Sequence, residues 1–277
     1  MGSDIFSETL ITGADGMVGS YIDFGIKTDR QSLDVTDPGE VIAAFKKHRP
    51  KVVIHLASET DVDRCERESE RAYFVNSVGT YHVASAAKEI GAKLIYISTA
   101  DVFDGKKKSP YNENDEPNPQ SFYGRSKYLG ELAVRGLLEN HLILRVCWMM
   151  GGGPGKDKKF VAKIIEQLGN KEIFALDDHF GSPTFAKDLV HAIRILIKED
   201  KKGLYHMANS GVASRCEMAK FIFDFLGGRA NIQAVKSDFF KLPAARPKNG
   251  GLTSKLNLMR PWQEGLKEYL ETEWKAS

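Results

Sequence analysis

Residues 9–19 read TLITGADGMVG: a short β-prone run followed at once by three glycines, Gly13, Gly16 and Gly19. Two readings compete. Either these are ordinary turn glycines, since isolated three-glycine patterns often arise by chance, or they form a loop that cradles a dinucleotide. In the second reading Gly13 permits the tight turn, Gly16 the close approach of a pyrophosphate, and Gly19 the close packing of helix on strand. The N–H groups at the start of the following helix then face the phosphates. Position favours the dinucleotide loop, which lies near the N-terminus between a first strand and a helix. Only 14 positions separate Gly19 from Leu33, so that helix and the next strand must both be short, the strand falling near DFGIKTDR (23–30). Asp29 near its end suits an adenosine ribose hydroxyl and hence NADH, whereas Arg30 or Lys27 suits a 2′-phosphate and hence NADPH. The residues leave that choice open.

Outward from this loop, strand and helix patterns alternate. DPGEVIAAFKKHRP has an acidic start, a proline in its first turn, apolar Val41, Ile42 and Phe45, and a basic end, the marks of an amphipathic helix. KVVIHLA (51–57) reads as a buried strand, 69–90 as one long helix closed by Gly91, KLIYIST (93–99) as a strand, 121–139 as a helix, and LILRVCW as a further strand. This order predicts an α/β fold: a Rossmann-type doubly wound parallel sheet with ligands at the carboxyl ends of its strands. After Trp148 the alternation weakens. A helix near 185–198 and a strand at 203–208 would return to the sheet. The expected division is therefore a cofactor-binding domain over 1–150, with 183–209 returning to it, and a smaller substrate-binding cap from 151–182 and 210–277.

The chain has 277 residues, a net charge of +2 and 27% charged residues, so its electrostatics imply neither nucleic acid nor a membrane surface as partner. Cys65, Cys147 and Cys216 are odd in number and widely spaced, which argues against a disulfide framework or zinc ribbon and suits a reducing cytoplasm. No apolar run is long enough to span a bilayer, and the N-terminus lacks a basic-then-apolar secretion signal. Met1-Gly2-Ser3 reads as a native start or an added remnant. The seven histidines show no metal-binding spacing, and no catalytic metal is expected. His55, in an apolar strand, reads as packed; His179 lies in a loop.

Of the nine tyrosines, only Tyr123 has a lysine, Lys127, four positions on. Residues at that spacing share one helix face. A phenol with a pKa near ~10 is a poor acid at neutral pH, but a neighbouring ammonium stabilises the phenolate. Tyr123 could then give a proton to a carbonyl oxygen as hydride reaches its carbon. Thr99, at the carboxyl end of KLIYIST, could hydrogen-bond the same oxygen. Without the glycine loop, a half-buried tyrosine beside a solvent-facing lysine would be the better account.

TGADGMVG, STADVF and YGRSK together resemble the extended short-chain dehydrogenase/reductases, and more closely the dTDP-4-dehydrorhamnose reductase family. LDVTDPGEV, HLASETDVDRCE, LRVCWMMG, DDHFGSPT and AARP are similar to its other segments, in the same order and almost end to end. The resemblance implies an NADPH- or NADH-dependent reductase of a nucleotide-linked 4-keto-6-deoxy sugar, with Thr99, Tyr123 and Lys127 as catalytic residues. It implies that Gly13, Gly16, Met17, Val18, Asp29, Arg30, Ala57, Ser58, Thr60, Asn76, Tyr123 and Lys127 hold the cofactor. Val62, Asp101, Trp148 and Arg246 would hold the nucleotide sugar, Arg246 through a bidentate guanidinium. A homodimer is left open. The chain departs from the family where Ala100-Asp101 follows Thr99 in place of Asp-Tyr, and where Lys159-Phe160-Val161 replaces Asn-Phe-Val. Two other uses of the scaffold stay open: a nucleotide-sugar epimerase or dehydratase, for which Asp101 could be the acidic partner, and a non-catalytic NADP-binding subunit resembling the regulatory subunit of methionine adenosyltransferase.

Overall fold

The structure, a computed structural model, describes residues 4–275; Met1-Gly2-Ser3 lies outside them. Strand β1 (Thr9–Thr12) runs into the glycine loop, and the short helix expected there is a single 3-10 turn, Gly19–Tyr21. Strand β2 (Ile26–Lys27) follows, then helix α1 (Pro38–His48). Asp37 caps α1 by accepting from the N–H groups of Gly39 and Glu40, with proline in the first turn and Lys46, Lys47 and His48 in the last. Strand β3 (Val52–His55) leads to helix α2 (Val62–Arg67). The long helix expected over 69–90 is divided into α3 (Ser69–Tyr73), a π-helical turn at Phe74–Val78, and α4 (Gly79–Ile90), which Gly91 ends in the left-handed region. Strand β4 (Lys93–Thr99), helix α5 (Phe122–Leu137, capped by Ser121) and strand β5 (His141–Val146) complete this half.

Beyond it the chain forms β6 (Met149–Met150), α6 (Gly153–Lys156), α7 (Phe160–Ile165), β7 (Glu172–Leu176), β8 (Phe180–Gly181) and β9 (Thr184–Phe185). Helix α8 (Ala186–Lys198) and strand β10 (Gly203–His206) come next, followed by β11 (Ala213–Ser214), α9 (Arg215–Leu226), β12 (Asn231–Val235), β13 (Asn249–Gly250) and α10 (Trp262–Glu273).

Six strands form one sheet in the order β10-β5-β4-β3-β1-β2, every pairing parallel. Side chains alternate between its faces, so neighbouring residues enter different cores. Ile11, Ile54, Ile95 and Leu144 meet Leu189, Ile193 and Leu196 of α8, while Leu10, Val53, Leu94 and Ile143 meet Val41, Phe45, Val83 and Val134 of α1, α4 and α5. Each buried aliphatic chain contributes about 2 kcal/mol by leaving water. On the α8 face, where the missing first helix would lie, Ile22 and the partly buried Val18, Tyr21 and Phe24 fill the space. Strand order reverses at β1, whose neighbours are β2 and β3. That reversal opens a crevice above the carboxyl ends of β1 and β3, where the glycine loop stands.

Candidate active site

Gly13 takes φ +66, and a Cβ there would lie 2.6 Å from the backbone nitrogen of Ala57, so only glycine lets the loop lie against the loop after β3. A Cβ at Gly19 would meet the Ala14 carbonyl oxygen, which accounts for its burial. The Gly16 N–H donates to the Gly13 carbonyl at 3.1 Å, while the Met17 and Val18 N–H groups have no partner among the described residues. Paired loops with free amides pointing out of a tight turn fit a dinucleotide's pyrophosphate. Ala57 and Ser58 are half-buried, and Thr60 is exposed.

Asp29 accepts from the Ser32 hydroxyl at 2.8 Å and from the N–H groups of Gln31 and Ser32, so its carboxylate closes its own turn; these bonds hold its pKa below the usual carboxylate range. Arg30 beside it is exposed and reaches Asp34 only at 3.6 Å. Arg30, Thr36, Arg71 and Phe74 border a surface cavity of about 500 Å³.

Helix α5 turns one face into the crevice. Tyr123 is half-buried with its phenol within hydrogen-bonding reach of Thr99; burial, then the nearby Asp101 carboxyl, raises its pKa, and the Thr99 bond opposes the rise. Thr99 also accepts from the Asp101 N–H at 3.1 Å. One turn on, the Lys127 Nζ lies 4.2 Å from the centre of the Tyr96 ring. Lys127 is buried, and desolvation brings its pKa down to about 7 against the opposing pull of Glu131. Glu131, a further turn on, is fully buried. It accepts from the Ser98 hydroxyl at 2.5 Å and, bidentately, from Arg145 at 2.8 and 2.7 Å. A charged network thus lies beneath the tyrosine–lysine pair.

Asn76 lies on the π-helical turn. It is fully buried, and its amide is spent within the protein. The oxygen accepts from the Ser58 hydroxyl and the Glu59 N–H, both at 2.8 Å, and the nitrogen donates to the Glu59 carbonyl and the Ser126 hydroxyl, both at 3.0 Å. With all four positions used, the Asn76 amide ties Ser58 and Glu59, at the start of the loop after β3, to Ser126 of α5. The π-helical turn that carries it lies within an otherwise continuous helical run from Ser69 to Ile90. His55 is also structural: its two ring nitrogens lie 2.7 and 3.1 Å from the hydroxyls of Thr12 and Thr80, and burial holds its pKa down to about 3.

Arg246 is held by an ion pair. Its fork grips Asp63 of α2 at 2.6 and 2.7 Å, and the Ala244 N–H donates to the same carboxylate. The guanidinium tethers the 243–247 loop to α2. Trp148 holds a left-handed backbone (φ +43), and its ring carries the Arg215 guanidinium at 3.7 Å, with Phe160 on another side at 4.6 Å. Asp101, partly accessible, has its pKa raised by desolvation against the pull of Arg246, Arg215 and Lys159. Val62 opens α2 and is half-buried. Arg215 and Lys159 were not foreseen as site residues. Arg215 sits in an ordinary capping box (Ser214, Glu217), and only tertiary contact brings it to Trp148. Among the described residues no group of three or more His, Cys, Asp or Glu could hold a metal ion.

Comparison with known proteins is consistent across the chain. A family model described as the RmlD substrate binding domain matches residues 7–274. The dTDP-4-dehydrorhamnose reductase of Mycobacterium tuberculosis is 35% identical, the match covering 93% of this chain and 90% of that protein. The crystal structure of a dTDP-4-dehydrorhamnose reductase from Yersinia enterocolitica is 41% identical with a TM-score of 0.90, covering 95% of this chain and 98% of that one. The dTDP-4-dehydrorhamnose reductase from Bacillus anthracis, solved in complex with NADP, is 34% identical with a TM-score of 0.90 over the same shares.

Proposed function

This chain belongs to the RmlD substrate binding domain family, and we propose that it reduces the 4-keto group of a nucleotide-linked 6-deoxy sugar, converting dTDP-4-dehydrorhamnose to dTDP-L-rhamnose with NADPH or NADH. The observation that carries this reading is Thr99 at the carboxyl end of β4 with Tyr123 and Lys127 of α5, in the same parallel sheet whose strand order reverses at β1 and its glycine loop. The Met17 and Val18 amides and the loop of Ala57, Ser58 and Thr60 would hold the cofactor. When bound, it supplies hydride to the keto carbon. Thr99 orients the keto oxygen, Tyr123 gives it a proton, and the Lys127 ammonium stabilises the resulting phenolate. Asp101, Val62 and Trp148 line the sugar side. The turn-bound Asp29 and the open Arg30 favour NADPH over NADH.

The test is cofactor oxidation with dTDP-4-dehydrorhamnose. One NADPH should be consumed per sugar, with a lower kcat/KM for NADH. Turnover of the sugar without net NADPH loss would instead indicate an epimerase or dehydratase cycle, and intact binding without turnover a regulatory subunit.

The division into a cofactor domain (1–150 with 183–209) and a cap (151–182 with 210–277) is supported by the separate apolar cluster of Val161, Ile173, Met218, Ile222 and Leu266. Exposed Phe74, Val78, Tyr81, Leu129 and Leu132 on the packed helices α4 and α5 and the π-helical turn support a homodimer; a monomer mass by light scattering would refute it. Three buried free thiols, and the absence of any helix among the described residues long and apolar enough to cross a membrane, accord with a cytoplasmic setting.

A further inference from the structure

The turn after the glycine loop is too short to act as a helix. Gly19–Tyr21 is three residues of 3-10 structure, without a side-chain cap. A full helix at this point brings about half a positive charge to its N-terminus through aligned peptide dipoles. One 3-10 turn cannot supply that, yet a pyrophosphate carries two negative charges.

A cation reaches the loop from elsewhere in the chain. The Lys156 Nζ, at the end of α6, donates to the carbonyl oxygen of Asp15 in the middle of the loop. The segment bearing it is anchored to the same turn. The Gly152 N–H donates to the Tyr21 hydroxyl at 2.6 Å, and that hydroxyl donates to Glu273 of α10 at 2.6 Å. Burial and the Glu273 bond push the Tyr21 pKa upward, which keeps its hydroxyl a donor. Tyr21, the last residue of the shortened turn, is therefore the joint through which the cap holds Lys156 at the rim of the loop.

We infer that Lys156 is a pyrophosphate-binding residue supplied by the cap, replacing with a mobile ammonium the charge that the missing first helix would have brought. The inference rests on the dinucleotide reading of the glycine loop. In the absence of an anion the ammonium is satisfied by the Asp15 carbonyl. A bound pyrophosphate offers it a charged acceptor, and charge-assisted bonds are roughly twice as strong as neutral ones.

The experiment is equilibrium binding, with no substrate present, of NADPH and of adenosine 2′-phosphate, which lacks the pyrophosphate. Wild type is compared with Lys156→Ala, Lys156→Arg and Tyr21→Phe. Lys156→Ala should bind NADPH about tenfold more weakly, with adenosine 2′-phosphate unchanged, and the gap should narrow as salt is added. Lys156→Arg should stay within about threefold of wild type, since the charge is kept. Tyr21→Phe, which keeps Lys156 but cuts its tether, should lose part of the affinity. NADPH affinity unchanged in Lys156→Ala would overturn the inference. So would an equal loss for both ligands, which would mark a structural role. Wild type that binds no NADPH would remove the dinucleotide reading itself, and the assignment of Lys156 with it.

Discussion

Tyr123→Phe should lower kcat for keto-sugar reduction by about a thousandfold, within the range that a positioned proton donor contributes, while NADPH affinity stays within about twofold of wild type. Only a hydroxyl is removed, and the ring keeps its place on α5. The phenol is well placed to stay protonated, since burial and Asp101 both hold its pKa above the ordinary value. Release of the proton requires a cation to meet the emerging phenolate, the role proposed for Lys127. Because burial brings Lys127 down to about 7, its ammonium is present below neutral pH and is lost above it. The reduction rate of wild type should accordingly fall as pH rises through about 7. Lys127 binds fewer protons folded than unfolded between about 7 and its ordinary value, so its contribution to stability improves as pH rises through that window. Full turnover in Tyr123→Phe would rule out the assigned donor. A flat rate from pH 6 to 9 would rule out the role of Lys127.

Glu131→Ala should destabilise the fold by about 3–5 kcal/mol, measured as a shift in urea midpoint at unchanged slope. The cause is the partner left behind: Arg145 is 2% exposed, and its guanidinium would stay charged with no carboxylate to face. Arg145→Met alone should cost a similar amount by stranding Glu131. The double variant Glu131→Leu with Arg145→Met removes both charges together and should recover most of the loss, because well-packed apolar chains often replace a buried ion pair without penalty. Stability is only half of the expectation. Glu131 also raises the Lys127 pKa, so the double variant should fold while its rate profile moves to lower pH. A stable double variant with the wild-type pH profile would confine this network to folding alone.

Much of the architecture is legible because it is local. Asp37 and Pro38 start α1, Ser121 starts α5, Gly91 ends α4, and the unbroken apolar run of residues 94–97 marks β4 within the expected 93–99. The glycine loop and the Tyr123–Lys127 pair are visible for the same reason, since one turn and one helix face are set by neighbours in sequence. The space from Gly19 to Leu33 forced a short first helix, but not its reduction to one turn, because that depended on Ile22, Phe24 and α8 covering the same face of the sheet.

What stayed hidden was decided by pairing across the chain. Asn76 and Arg246 have the composition of ligand-binding residues, and the protein partners that also hold them, Ser126 and Asp63, are met only in space. Glu131 finds Arg145, Arg215 finds Trp148, and Lys156 finds Asp15 by folding, with no periodicity to announce it. Short-range chemistry is written in adjacent residues. The partner of a buried charge is chosen only when the sheet, the helices and the cap close on one another, because desolvation makes an unpaired charge too costly to leave there.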